Sequence, residues 1–190
     1  MFSERHNLMF ALGLMFTLSS IIAPVYLYFF QRLFGVADNL NYSWYFTPLT
    51  SGYIMLVIGF VLIGVGLLIY VFLVSKLVNK IVARTVLVIF TTASIILMYF
   101  SLHSYLYMTT DGVLLNDKFS LKEELYRWED IEAASFIGIG NGHKVIKLTY
   151  TNGVELELQD TVYKNNMKII NEILKKHEVA IGVSNENDSK

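Results

Sequence analysis

Residues 53–75, YIMLVIGFVLIGVGLLIYVFLVS, contain no charged side chain. As a helix, about 20 apolar residues cross a bilayer core of about 30 Å. Two further uncharged stretches stand on either side of this one, from Asn7 to Gln31 and from Thr85 to Thr110. Three such stretches cannot all be buried inside one chain of 190 residues. The sequence therefore predicts three transmembrane helices, near residues 8–30, 53–75 and 83–103.

The composition changes after residue 103. The whole chain is 54% hydrophobic and 16% charged, against about 25% charged residues in a typical soluble domain. Residues 1–103 hold five Lys/Arg and two Asp/Glu, whereas residues 104–190 hold ten and fourteen. These numbers exclude a soluble globular protein and a disordered one. We predict a transmembrane domain over 1–103, a second domain over 104–182 and a disordered polar tail over 183–190.

Loop charge indicates the orientation of the spans. The connection between the second and third spans carries Lys76, Lys80 and Arg84 and no acid. The positive-inside rule places this connection and the N-terminus in the cytoplasm of the cell. The first loop then faces outward with a belt of aromatic residues, Tyr42, Trp44, Tyr45 and Phe46. With three spans, the C-terminal domain is also expected outside the cell membrane.

The predicted spans carry no Asp, Glu, Lys or Arg near their middles. Ionisable groups inside a membrane are the usual mark of an ion path or a proton relay, so the sequence argues against a channel. His103, at the end of the third span, is interpreted as an interfacial side chain. Pro24 predicts a kink in the first helix. Gly59, Gly64 and Gly66 give the second helix a thin face for close packing.

Alternating polar and apolar residues after residue 104 predict short β-strands. Val154, Leu156 and Leu158 are expected to point inward, with Glu155 and Glu157 outward. Three tight hairpin turns are predicted, because Asn-Gly and Asp-Gly pairs supply positive φ. They fall at Asp111-Gly112, Asn141-Gly142 and Asn152-Gly153. The second domain is therefore predicted to be an antiparallel β-meander.

One amphipathic helix follows the strands, from about Thr161 to His177. Its apolar residues Met167, Ile170, Ile173 and Leu174 recur at helical spacing. The fold class predicted for the whole chain is thus a membrane α-helical protein with an α+β C-terminal domain.

The second domain resembles the bacterial pleckstrin-homology-like domain over about 80 residues. The matching segments are 110–113 (TDGV), 126–131 (YRWEDI), 148–153 (LTYTNG) and the helix after Asp160. The resemblance implies a small antiparallel β-barrel of seven strands that is closed by the C-terminal helix. It also implies a small bacterial multi-pass membrane protein, and it carries over no catalytic residue. Domains of this family mostly face the cytoplasm, which leaves the orientation open.

A dense acidic cluster is the candidate interaction surface of the second domain. Its members are Glu123, Glu124, Glu129, Asp130 and Glu132. The cluster is typical of a landing patch for a basic partner, of a divalent-cation site, or of a solvated turn. Trp128, within it, is interpreted as a core residue beside Ile131.

No pattern in the sequence indicates catalysis. The chain has no cysteine, which excludes disulfides, cysteine-ligated metal centres and a cysteine nucleophile. It also lacks HExxH, GxSxG and GxxxxGK[ST]. The basic residues form no stripe of the kind that binds nucleic acid. We therefore predict a non-enzymatic protein with no catalytic residue, no metal, no cofactor and no nucleic-acid partner.

Three functions are compatible with this pattern. The first is a membrane-anchored interaction module that binds a protein partner or assembles with copies of itself. The second is an immunity protein, which protects its own cell against a membrane-active toxin. The third is an accessory subunit of a transporter. The lipid bilayer is the expected surrounding in each case.

Overall fold

The computed structural model describes residues 4–33, 43–76, 80–117, 122–139 and 143–184. The chain divides into two compact units. The first, called the membrane unit, comprises Met1–Tyr107 and Leu115–Glu124. The second, called the β unit, comprises Met108–Leu114 and Leu125–Lys190.

Among its described residues, the membrane unit contains four α-helices. They are α1 (Glu4–Ser19), α2 (Ala23–Leu33), α3 (Thr50–Lys76) and α4 (Lys80–Leu102). A single 3-10 turn, Ser20–Ile22, joins α1 to α2. Three helical segments, His6–Leu33, Thr50–Lys76 and Lys80–Leu102, are long and apolar enough to cross a membrane. The three long apolar helices that the sequence predicts are therefore present, with bounds that differ from the predicted ones by a few residues.

The change of helix type in the first span lies directly before Pro24. Proline has no N–H to donate and crowds the carbonyl four residues earlier, so the regular α-helical ladder is interrupted there. Side-chain hydroxyls of the preceding turn provide extra donors to backbone carbonyls. Thr17 donates to the Gly13 carbonyl over 2.9 Å, and Ser20 donates to the Thr17 carbonyl over 2.7 Å.

Helix α3 packs against its neighbours through glycine. A Cβ atom added at Gly64 would lie 2.7 Å from the carbonyl oxygen of Gly13 on α1. One added at Gly66 would lie 2.7 Å from Cβ of Phe90 on α4. The predicted thin face of the second span therefore serves packing within the chain.

In the part of the chain that the structure describes, eight strands form two four-stranded sheets. The first sheet has the order β1-β2-β3-β4, with β1 Ser43–Pro48, β2 Tyr105–Thr109, β3 Gly112–Asn116 and β4 Glu124–Arg127. The second has the order β7-β6-β5-β8, with β5 Ile131–Ile139, β6 His143–Tyr150, β7 Glu155–Leu158 and β8 Ile181–Ser184. Within the second sheet, β5-β6 and β6-β7 are antiparallel, as predicted for hairpins, and β5-β8 is parallel.

Two of these strands were not predicted. Ser43–Pro48 was interpreted as a loop, yet it forms β1, beside β2 in the first sheet. The polar tail was predicted to begin at residue 183, yet Ile181–Ser184 forms β8. Both strands pair with segments far away in the sequence, and local patterns carry no trace of such pairing. The rest of the predicted tail, 185–190, lies outside the described residues.

The core of the β unit is made of large apolar side chains. Trp128 is buried, and its indole N–H donates to the Thr109 carbonyl over 2.9 Å. Ile131 is buried as well, so the interpretation of Trp128 as a core residue beside it is confirmed. Further core residues come from the second sheet and from α5 (Asp160–Lys176), namely Ile146, Leu148, Tyr150, Leu158, Ile170 and Leu174.

Two residues that the apolar sequence pattern predicts on buried faces are exposed. Met167 on α5 is 51% exposed, and Val154 is 36% exposed. Val162 and Tyr163 in the first turn of α5 are buried. The buried side of α5 is thus rotated toward Val162, Tyr163 and Ile170 relative to the predicted side.

Candidate functional site

The predicted acidic cluster is distributed over both units. Glu123 and Glu124 belong to the membrane unit, whereas Glu129, Asp130 and Glu132 belong to the β unit. All five residues are exposed. Among the residues that the structure describes, no group of three or more His, Cys, Asp or Glu is arranged to hold a metal ion. The contacts of each acidic side chain are therefore described one by one.

Glu123 binds two tyrosines. Its carboxylate accepts hydrogen bonds from the hydroxyl of Tyr105 over 2.6 Å and from that of Tyr107 over 2.9 Å. Burial, together with the hydrogen bond to the Glu123 carboxylate, raises the pKa of Tyr105 above its usual value. Tyr105 is therefore a hydrogen-bond donor at neutral pH, and Glu123 is bound within the unit to which it belongs.

Gln31, near the end of α2 in the first span, makes hydrogen bonds to the end of the third span. Its side-chain amide nitrogen lies 3.2 Å from the carbonyl oxygens of Ser101 and Leu102 and 3.0 Å from that of Ser104. The last carbonyls of an α-helix have no partner within the helix. Gln31, which is fully buried, supplies donors to these carbonyls from the end of α2. The end of α4 and the residues that lead into β2 are thereby bound to the first span.

The start of α3 and the residue before it make further hydrogen bonds to the same junction, the residues between α4 and β2. The hydroxyls of Ser51 and Ser104 are 2.7 Å apart, and Ser51 also donates to the carboxylate of Asp117. The backbone N–H of Leu49 donates to the Ser104 carbonyl over 3.2 Å. Sequence analysis missed this polar cluster. The only signal was a glutamine at the end of an otherwise apolar stretch.

A polar cavity of about 340 Å³ opens in the β unit. It is lined by the turn after β2, by β4 and the residues after it, and by the end of α5: Thr110, Asp111, Leu125, Arg127, Trp128, Glu129, Lys176 and His177. It therefore brings together one residue of the predicted acidic cluster, Glu129, and one of the predicted turns, Asp111. Glu124, Asp130 and Glu132 are not among the lining residues.

Charges of both signs lie side by side in this cavity. Arg127 and Glu129 form an exposed ion pair of 2.9 Å, and the hydrogen bond to Glu129 raises the pKa of the Arg127 guanidinium. Lys176 and His177 close the last turn of α5, where the helix dipole favours positive charge. Acceptors, donors and the apolar side chain of Leu125 are thus available in one cavity. This combination suits the mixed polar and apolar surface of a peptide or protein.

The predicted turns differ in why they need glycine. Gly153 has a φ of +79°, and the Val154 N–H donates to the Asn152 side chain over 3.0 Å. Gly112 does not have the positive φ that was predicted for it. At that position a Cβ atom would overlap the backbone of Tyr126, so close approach of β4 requires the glycine. The turn at Asn141-Gly142 lies outside the described residues.

Comparison with known protein families finds no model that matches this chain, and comparison with curated proteins finds no match either. Function is therefore inferred from the residues of this chain and their geometry.

Proposed function

We propose that this chain is a non-enzymatic integral membrane protein that holds a β-rich interaction module at the membrane surface. The module binds a protein partner or assembles with copies of the chain. In this proposal the module is a pleckstrin-homology-like barrel closed by α5, carried by a small bacterial multi-pass protein of the cell membrane. The barrel and the bacterial source rest on the sequence resemblance described above.

The observation that carries the proposal is the junction after the third span. Helix α4 ends at Leu102 and β2 begins at Tyr105, so no linker separates them. A flexible tether would contain a longer run of Gly and Ser. Instead, Gln31 binds three backbone carbonyls of the junction. A short exit from the third span suits a module that acts at the surface rather than far from it.

The charge of residues 104–190 favours a protein partner over a lipid head group. This segment holds ten basic and fourteen acidic residues. An anionic leaflet attracts basic segments and repels acidic ones. The mixed charges of the cavity between the β2-β3 turn and the end of α5 supply a site for such a partner.

The orientation with the module outside the cell is part of the same proposal. Strand β1 comes from the loop after the first span, and its neighbour β2 follows the third span. This pairing supports a common side for the loop and the C-terminal domain. The basic residues Lys76, Lys80 and Arg84 then belong to the opposite, cytoplasmic side. Reporter fusions after Lys190 and within residues 77–79 test this assignment.

Cross-linking in native membranes tests the interaction. We expect a stoichiometric cross-linked product, either with one partner or between two copies. Lys176→Glu reverses a charge in the cavity and should reduce that product at least fivefold. Lys168→Glu makes the same charge change on the exposed part of the same helix, outside the cavity, and should leave the product unchanged. Absence of any stoichiometric product, or equal effects of the two variants, would contradict the proposal.

A further inference from the structure

A second cavity lies between α1 and α3, within the membrane unit. Its volume is about 370 Å³, and it opens at the end of the helices that carries residues 4 and 76. Its lining is formed by Phe10, Leu68, Val71 and Phe72 inside and by His6, Asn7 and Ser75 at the helix ends. We call this cavity the α1-α3 groove.

Polarity changes along the groove in one direction. Since a helix rises 1.5 Å per residue, the distance along α3 from Leu68 to Ser75 is about 10 Å, or about a third of a bilayer core. The inner part is apolar, and the outer part carries a hydroxyl, an amide and an imidazole. An occupant that fits has an apolar chain inside and a polar group at the outer end.

The aromatic rings of the groove face outward from the helix bundle. Phe10 is 50% exposed and Phe72 is 59% exposed. On helices that cross a bilayer, such side chains contact lipid rather than water. The occupant is therefore a lipid chain from the surrounding leaflet.

Three basic side chains lie at the end of the helices where the groove opens, against one acidic residue, Glu4 at the start of α1. Lys76 directly follows Ser75, and Lys80 and Arg84 stand at the start of α4. All three side chains are exposed, and none forms an ion pair with another residue in the described part of the chain. A basic segment next to a span attracts anionic head groups. Charge thus selects among lipids that share the same acyl chains.

We propose that the α1-α3 groove binds one acyl chain of an anionic phospholipid, whose phosphate is attracted by Lys76 and Lys80 at the outer end. This site goes beyond the interaction module proposed above, because it lies on the spans and uses none of the residues of the β unit.

Native mass spectrometry of the detergent-solubilised full chain tests the site. Phosphatidylglycerol and phosphatidylcholine with identical acyl chains are added separately, and the bound lipids are counted. The double variant Asn7→Phe/Ser75→Phe obstructs the groove at two exposed positions. Thr85→Phe is the matched control, because it places the same ring at an exposed position of α4 outside the groove. Lys76→Gln/Lys80→Gln tests the head group.

The wild type should bind one phosphatidylglycerol, with a preference over phosphatidylcholine of about fivefold for each basic residue that contacts it. The groove variant should lose at least tenfold in affinity for both lipids, whereas the Thr85→Phe control should bind both lipids with the affinity of the wild type. The lysine variant should lose the preference and keep the affinity for phosphatidylcholine. Equal binding of both lipids by the wild type, or equal binding by the groove variant and its control, would overturn the proposal.

Discussion

The two units differ in how many of their large apolar side chains are buried. In the β unit, large side chains such as Trp128 and Ile146 are buried, as expected where water surrounds the fold. In the membrane unit, glycine and serine lie at the helix contacts together with a small buried cluster of Ala23, Leu27 and Leu56, whereas many large residues, such as Ile21 (75% exposed), face outward. Lipid tails are as apolar as leucine, so burying leucine between spans brings little stabilisation there. A large apolar residue therefore indicates a core in the β unit, whereas in the membrane unit many such residues form the outward surface of the helices.

Polar side chains also have different roles in the two units. In the membrane unit they donate to backbone carbonyls of neighbouring helices. Ser94 donates to the Gly59 carbonyl, and Ser101 donates to the Gly52 carbonyl over 2.8 Å. A bilayer core contains no water to replace such bonds. In the β unit, polar residues instead form ion pairs at the surface, such as the half-buried Lys147 with Glu155 at 2.6 Å.

The largest expected effect is the loss of the buried tryptophan in the β unit. Trp128→Ala removes a fully buried ring together with its hydrogen bond to Thr109, and should lower the free energy of unfolding by about 3–5 kcal/mol. Thermal unfolding of the full chain in detergent, followed by circular dichroism, measures this. Leu125→Ala, at a side chain that is 44% exposed, is the control and should cost much less. Equal costs would show that the β unit does not depend on its large buried side chains.

The next effect tests the small residues of the membrane unit. Gly64→Ala places a methyl group against Oγ1 of Thr17 and against two backbone atoms of α1, the Gly13 carbonyl oxygen and the Thr17 nitrogen. Because the backbone atoms cannot move away as a flexible side chain can, the substitution should cost about 1–3 kcal/mol. Gly59→Ala is the matched control on the same helix. Its methyl group would lie 2.9 Å from Cγ of Met98, a flexible side chain that can adjust. Unfolding in a denaturing detergent compares the two, and equal stability of the variants would contradict the packing described for α3.

Sequence patterns predicted the features that depend on neighbouring residues. Uninterrupted apolar stretches predicted the three spans, and alternation predicted the hairpins β5-β6 and β6-β7. The features that were missed depend on distant residues. Strand β8 pairs with β5 although α5 lies between them in the sequence. Gln31 binds carbonyls about 70 positions later in the chain. The polar cavity of the β unit was likewise missed, because its lining comes from three separate segments.

A smaller effect is expected at the turn between β6 and β7. Gly153 has a φ of +79°, and a Cβ atom there would meet nothing within 4 Å. The cost of Gly153→Val is therefore conformational, about 1–2 kcal/mol. Gly153→Asn is the control, because asparagine tolerates this backbone conformation better. Thermal unfolding should order the variants glycine, asparagine, valine from most to least stable. Equal stability of the asparagine and valine variants would contradict the role assigned to φ.

The smallest effect is a gain, at the end of α5. Glu178 has a φ of +60°. Two backbone hydrogen bonds cap the helix there: the Val179 N–H donates to the Leu174 carbonyl over 2.9 Å, and the Glu178 N–H donates to the Lys175 carbonyl over 3.2 Å. Glycine is the usual residue at such a position because it has no Cβ. Glu178→Gly should therefore raise the free energy of unfolding by about 0.5–1 kcal/mol.

A second variant separates backbone conformation from charge at this position. Glu178→Ala also removes the carboxylate, which stands unfavourably at the negative end of the helix dipole, but it keeps the Cβ atom. If the left-handed backbone is the cause, the midpoint of thermal unfolding should rise by about 1–4 °C for Glu178→Gly and by clearly less for Glu178→Ala. Equal gains would assign the effect to the lost charge. The end of α5 supplies Lys176 and His177 to the polar cavity. The unfolding midpoint of Glu178→Gly therefore also reports on the stability of the helix end that lines this cavity.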